Sequence, residues 1–285
     1  MLVSHSHAKH PANVQFMPDS QVITSSQNPF FRHCLQLRKN RQRRKAGQFL
    51  IDGEVEIVRA VQSGLQVQHL LVNCQHALSP GLRQLLADYP EITLETFSPQ
   101  LIGRLEYGQV VGAVIAVAQA PSLELDTIQI TSDGLVLVLD QIEKPGNLGA
   151  CMRTAAACGV QAVVLTDPVC DPFNANAIRA SRGTMFGTQL AVTTASEFLS
   201  LAMRIRLSVF AARVQSEKSL WQLPLHQGAA IVFGSEAWGL DQRWRSDMVQ
   251  DFTIPMNSKA DSLNVSISAA VSLYEAVRQR LNVPI

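Results

Sequence analysis

LVLVLDQIEKPGNLGACMRT, from Leu135 to Thr154, decides the fold class. Five apolar residues lead to Asp140, the pattern of a strand buried on both faces with a polar end, as strands of parallel sheets read. Pro145, Gly146, Asn147 and Gly149 then mark a turn, and Leu148 to Cys158 reads as a helix that Gly159 stops. Downstream the alternation continues. AVVLT and QLAVT are strand-like, Ala175–Ser181 and Glu197–Arg204 helical, LSVFAA and AAIVFG strand-like again. Strands alternating with helices predict an α/β fold, a mainly parallel sheet with helices on its faces. A last helix is predicted from Asn264 to Leu281, with Ile267, Ala270, Val271, Tyr274, Val277 and Leu281 forming one apolar stripe.

Upstream, Gln119 to Gly134 is rich in turn formers and reads as a linker, residues 119–134. Residues 23–118 hold shorter extended and helical patterns, those of a small α/β domain. Phe30 to Lys45 reads as one helix, QFLID as a strand, Val55 to Val61 as a helix, then VQHLLV, a helix near Gly81–Asp88, ITLETF and a strand from Val110. Residues 1–22 show no periodicity and are expected to be a mobile tail, leaving residues 135–285 as the larger domain.

The chain has 285 residues, and at roughly 150 per domain it suits one large or two ordinary domains. Hydrophobic residues at 47% exclude a disordered chain. No apolar run reaches the ~18 residues of a membrane-spanning helix, and the N-terminus lacks the apolar core of a signal peptide, so a cytosolic protein is expected. Five cysteines without a CxxC pair point to reduced, mostly buried thiols and to no metal site. The net charge of +1 hides one basic run, RKNRQRRK, in which Arg38, Lys39, Arg41, Arg43, Arg44 and Lys45 stand without an acid between them. Such a run is either a solvated helix face or a nucleic-acid phosphate contact.

Ligands of open parallel sheets bind beyond the carboxyl ends of the strands, which directs attention to three loops. In the first, Asn147 is a candidate helix N-cap, and Arg153, one turn after Gly149, would reach back over a bare glycine surface to hold an anion or a phosphate. In the second, VFGSEAWGL, Gly234 permits close approach by a ligand, and Glu236 is a base, a ribose ligand or a partner that orients Arg153. In the third, Asp261 or Ser262 is expected to cap the last helix, with Asn264 beside them. There the main chain around Ile254, Met256 and Leu263 suits a flat apolar ligand such as an adenine ring. GNLG is not GxGxxG, and Asp167 is the nearest acid to the position a dinucleotide site needs. No GxxxxGK[ST] loop is present.

EKPGNLGACMRTAAACGV, IVFGSEAWGL and IPMNSKADSLNVSISAA, in that order, resemble the three motifs of the SpoU/TrmH family of RNA ribose 2′-O-methyltransferases, part of the SPOUT superfamily. SSQNPFFRHCLQLRKNRQRRKAGQFLIDG is similar to that family's RNA substrate-binding domain, whose fold is like that of certain ribosomal proteins. The resemblance implies a deep trefoil knot holding S-adenosylmethionine against Gly234, Ile254 and Leu263, and a homodimer with the last helix at its interface. It implies that Arg153, Asn147, Glu236, Ser262 and Asn264 serve catalysis or RNA positioning. Ser258, Asp261 and Asp52 stand where the family commonly has glycine, glutamate and glutamate.

A ribose 2′-hydroxyl is a poor nucleophile, so such an enzyme must align it with the methyl donor and help remove one proton. A guanidinium keeps its proton near neutral pH, which assigns Arg153 to a developing alkoxide and an RNA phosphate and leaves a phosphate oxygen or Glu236 as proton acceptor. Ribosomal RNA is the expected substrate. A transfer RNA substrate and a catalytically silent RNA-binding protein of the same fold are the alternatives.

Overall fold

The structure, a computed structural model, describes residues 22–107, 114–257 and 261–281. Most of the expected tail, the start of the strand read from Val110, and Ser258 lie outside the described residues.

Six strands form the C-terminal sheet: β5 (Leu135–Asp140), β6 (Ala162–Thr166), β7 (Gln189–Thr193), β8 (Ser208–Ala212), β9 (Ala229–Phe233) and β10 (Val249–Phe252). Their order is β10-β8-β9-β5-β6-β7, and every neighbouring pair is parallel. Since side chains alternate along a strand, each buried strand feeds two cores. Leu135, Leu137 and Leu139 of β5 join Ile231 and Phe233 of β9 in one cluster, whereas Val136 and Val138 join Val232 and Phe198 in the other. Helices α6 (Pro145–Cys158), α7 (Ala175–Ser181), α8 (Ala195–Ile205) and α9 (Val265–Arg280) complete this unit.

The apolar stripe read on α9 divides between core and surface, Val271 packing part-buried against the core. Ile267, Tyr274 and Leu281 are exposed, while Val265, Ala269, Leu273 and Ala276 enter the core. Small residues let α9 lie close to α6, with Leu273 in the core beside them and Ile267, Tyr274 and Leu281 left on the surface.

The N-terminal sheet, β1 (Gln48–Asp52), β2 (Val67–Asn73), β3 (Thr93–Phe97) and β4 (Ile115–Gln119), has the order β1-β4-β2-β3 and is mixed. Helices α3 (Glu54–Gln62), α4 (Pro80–Asp88) and α5 (Pro99–Leu105) accompany it. The single helix expected over Phe30–Lys45 is two, α1 (Pro29–Leu37) and α2 (Asn40–Ala46). Lys39 is extended between them, and Gly47 closes α2 at a φ of +63°. Arg38 explains the break: its side chain turns inward, forms a paired contact with Asp52 at 2.6 and 2.5 Å, and donates from Nε to the Leu105 carbonyl at 2.8 Å. The aspartate found where the family commonly has glutamate is thus an anchor for the basic segment.

Arg43 is the second correction to the basic run. It is buried, donates from Nε to Asp171 at 2.6 Å and from NH1 to the carbonyls of Leu37 and Arg38, each at 3.0 Å. Of the six residues expected to meet RNA, Arg38 and Arg43 therefore hold the fold, whereas Lys39, Arg41, Arg44 and Lys45 remain exposed. Because Asp171 belongs to the C-terminal unit, the Arg43 pair ties the two sheets together. Phe49 of β1 reinforces the tie by stacking on Phe173, centroids 4.3 Å apart. The segment after β4 also lies against the C-terminal unit, Val192 donating to the Leu123 carbonyl at 2.7 Å.

Removing one partner of a buried ion pair strands the other charge. Arg43→Ala is expected to destabilise the protein by about 3 kcal/mol, and Arg41→Ala by less than about 0.5 kcal/mol. Urea denaturation of the two variants checks this, equal midpoints being the contrary result.

Candidate active site

The loops after β8, β9 and β10 surround a cavity of about 590 Å³. Gly234, Ile254, Met256 and Leu263, expected to meet the cofactor, all line it, as do Glu236, Ser262 and Asn264. Asn147 reaches its edge from α6 through Glu236. Arg213 braces the wall, donating to Asp251 at 3.1 Å and to the carbonyls of Leu240 and Trp244.

Glu236 is the meeting point of the loops. Its carboxylate accepts one hydrogen bond from Asn147 Nδ2 and another from Lys144 Nζ. Asn147 Oδ1 accepts in turn from Asn264 Nδ2 at 3.3 Å, and Asn264 Oδ1 accepts from Ser266 N at 2.9 Å. Hydrogen bonding to Glu236 pushes the Lys144 ammonium above the usual lysine range. Burial pushes the Cys151 thiol of α6 up to about 12, with the charge of Glu236 adding to the effect. A carboxylate with two donors already fixed upon it is a rigid acceptor with lone pairs left for a further donor.

Lys144 had no place in the sequence reading. Its one signal in the sequence was its position directly before Pro145, in a strand-end loop. Two capping expectations also change. Asn147 lies inside α6, which begins at Pro145 after an extended Lys144, and so its side chain is free for Glu236. Asn264 caps α9, a role expected of Asp261 or Ser262, both of which stay exposed.

Arg153 is not brought to this cluster. It is exposed on α6, and the glycine one turn before it is not bare: a Cβ on Gly149 would lie 2.3 Å from the Ala177 carbonyl oxygen of α7. Glu236 is oriented by Lys144 and Asn147 instead. Asp167, the acid weighed for a dinucleotide, is an ion-pair partner of Arg243, which Asp241 also holds at 2.8 Å. Among the described residues no group of three or more His, Cys, Asp or Glu is arranged to hold a metal ion.

Gly234 gives space to the chain itself. A Cβ there would stand 2.2 Å from the Gly239 carbonyl carbon and 2.5 Å from Leu240 N, so the absence of a side chain lets the 235–239 turn fold back on β9. Gly239 N donates to Ser235 O at 2.9 Å to close that turn. Gly234→Ala is expected to lower stability by about 2 kcal/mol through overpacking and to speed amide exchange at Trp238 and Gly239. Hydrogen-exchange mass spectrometry reads this directly, with unchanged protection as the contrary outcome.

The SpoU rRNA Methylase family model matches residues 134–274, and the MRM3-like substrate binding domain model matches residues 28–104. The chain is 30% identical over 273 residues to the 23S rRNA (uridine(2479)-2′-O)-methyltransferase of Streptomyces viridochromogenes, covering 93% of this chain and 94% of that protein. It is 27% identical over 258 residues to the 23S rRNA (guanosine(2553)-2′-O)-methyltransferase RlmP of Bacillus subtilis (strain 168), with 88% and 97% covered. The crystal structure of the SpoU methyltransferase AviRb from Streptomyces viridochromogenes in complex with AdoMet superposes with a TM-score of 0.83 at 28% identity, covering 89% of this chain and 98% of that one. Similarity along both sheets, and not in the motifs alone, means that the chain belongs to the SpoU rRNA methylase family.

Proposed function

We propose that the protein transfers the methyl group of S-adenosylmethionine to a ribose 2′-hydroxyl of ribosomal RNA in the cytoplasm. The observation that carries this reading is the convergence of Asn147, Glu236 and Asn264 at a cavity walled by Gly234, Ile254, Met256 and Leu263. Two relatives covered almost end to end are named as 23S rRNA 2′-O-methyltransferases, which favours ribosomal over transfer RNA. The cavity falls within the usual ~300–1,000 Å³ of small-ligand sites, and its mixed wall of backbone, apolar side chains and a few polar groups suits a nucleoside. S-adenosylmethionine supplies an activated methyl on a sulfonium. The trefoil knot belongs to this reading, supported by the three consecutive strand-end loops that meet at one cavity.

Within the proposal, Asn147 and Lys144 hold Glu236 in place, and Glu236 or an RNA phosphate oxygen takes the hydroxyl proton. Ser262, exposed at the cavity wall, positions the ribose. Lys39, Arg41, Arg44 and Lys45 supply the exposed cations of the RNA-binding unit. Arg153 has no partner in its own protomer's cluster. It is read as acting on the RNA phosphate and the alkoxide in a homodimer built on the outward stripe of α9, where Ile267 and Tyr274 are each more than half exposed.

Arg153→Ala is expected to bind S-adenosylmethionine as the unaltered protein does and to lose methyl transfer by ~10²-fold or more. Arg153→Lys restores only part, because an ammonium lacks the guanidinium fork. Calorimetry and a methyl-transfer assay test both, and the product must contain alkali-resistant linkages. A methylated base, or near-normal turnover by Arg153→Ala, overturns the reading. Light scattering at micromolar concentration is expected to give a dimer, and Tyr274→Arg a monomer.

A further inference from the structure

Trp238 is 87% exposed, more than any other large apolar side chain found exposed among the described residues. It lines the cavity and lies two residues after Glu236. Its loop is not loose. Ser235 Oγ accepts from Trp238 N at 3.1 Å, Gly239 N closes the turn on Ser235 O at 2.9 Å, and Gly234 lies in contact with the Gly239 backbone. The indole is therefore displayed on a fixed support at the mouth of the site. Ser235, by contrast, is buried and spent on holding the turn.

A large aromatic surface held in water is stabilised by whatever covers it. The covering group must lie where the cavity opens and must coexist with a ribose at Glu236 and Asn147. An unpaired nucleobase meets both conditions, since a ribose at that edge carries its base only a bond away. Proteins that bind single-stranded RNA stack splayed bases on aromatic faces. Lys144, two-thirds exposed beside Glu236, adds a cation within reach of the same nucleotide's phosphate. We propose that Trp238 is the stacking platform for an unpaired RNA base at the methylation site, a positioning residue that favours targets in single-stranded loops. This rests on the proposed reaction at the same cavity.

The test uses the full-length protein with undermodified ribosomal RNA from cells lacking it, comparing Trp238→Ala and Trp238→Phe. Stacking predicts that Trp238→Ala raises KM for RNA roughly 5- to 150-fold with little change in kcat, while Trp238→Phe stays within about threefold of the unaltered protein because a smaller ring still stacks. The salt dependence of RNA binding should not change, since no phosphate contact is lost. S-adenosylmethionine affinity and the dimer should also be retained. An unchanged KM overturns the proposal. A parallel loss of S-adenosylmethionine affinity assigns Trp238 to the cofactor wall, and a monomer assigns it to the subunit contact; either result also overturns it. Absence of 2′-O-methyl product from the unaltered protein counts against the proposed reaction instead. In that event RNA quenching of the fluorescence that Trp238→Phe removes still decides whether a base stacks there.

Discussion

A parallel sheet buried on both faces has nowhere to put polar chemistry except at the ends of its strands. In β5 every residue is buried, and in β9 likewise. Polar groups that follow these two adjacent strands therefore gather at one edge, where Lys144 of the loop after β5 and Asn147 in the first turn of α6 meet Glu236 of the loop after β9. The cluster is a consequence of strand order. β5 leads outward to β6 and β7, whereas β9 leads to β10 on the other side of the sheet, and the cavity lies on that side, beyond the ends of β8, β9 and β10.

Elements whose residues answer to a single constraint were legible in the sequence. β5, β6, β7 and α7 match their expected limits because an apolar run or a flanking turn former determines each one. The cavity wall was legible through Gly234, Ile254, Met256 and Leu263. What failed depended on partners far along the chain. Nothing near Arg38 announces Asp52, and nothing near Arg43 announces Asp171, so a run of six cations looked like one exposed face. The stripe on α9 satisfied helical periodicity, but periodicity cannot tell which of two apolar faces the fold buries. On α9 Ala269 and Ala276 went inward together with Leu273, close to α6, and Ile267, Tyr274 and Leu281 stayed outside.

Asn147 shows how a local rule yields to a longer-range one. Asparagine before a helix is a good cap, but Pro145 needs no amide partner at the helix start and moves the first turn three residues earlier. The freed amide then donates to Glu236 with one end and accepts from Asn264 with the other. One side chain thereby links the loops after β5, β9 and β10.

The same division between anchoring and free side chains governs how the N-terminal unit relates to the site. Arg43 to Asp171 and Phe49 on Phe173 fix α2 and β1 against the C-terminal unit, while Arg41 and Arg44 on the same helix stay in water. Free cations on a swinging domain would raise RNA affinity without choosing a nucleotide, because phosphate contacts carry no sequence information. Held on a fixed frame, they would, under the proposed function, require that RNA touching α2 also present a ribose at a set distance, beside Glu236. In that proposal the interface between the two sheets turns a nonspecific charge into a geometric filter on the substrate.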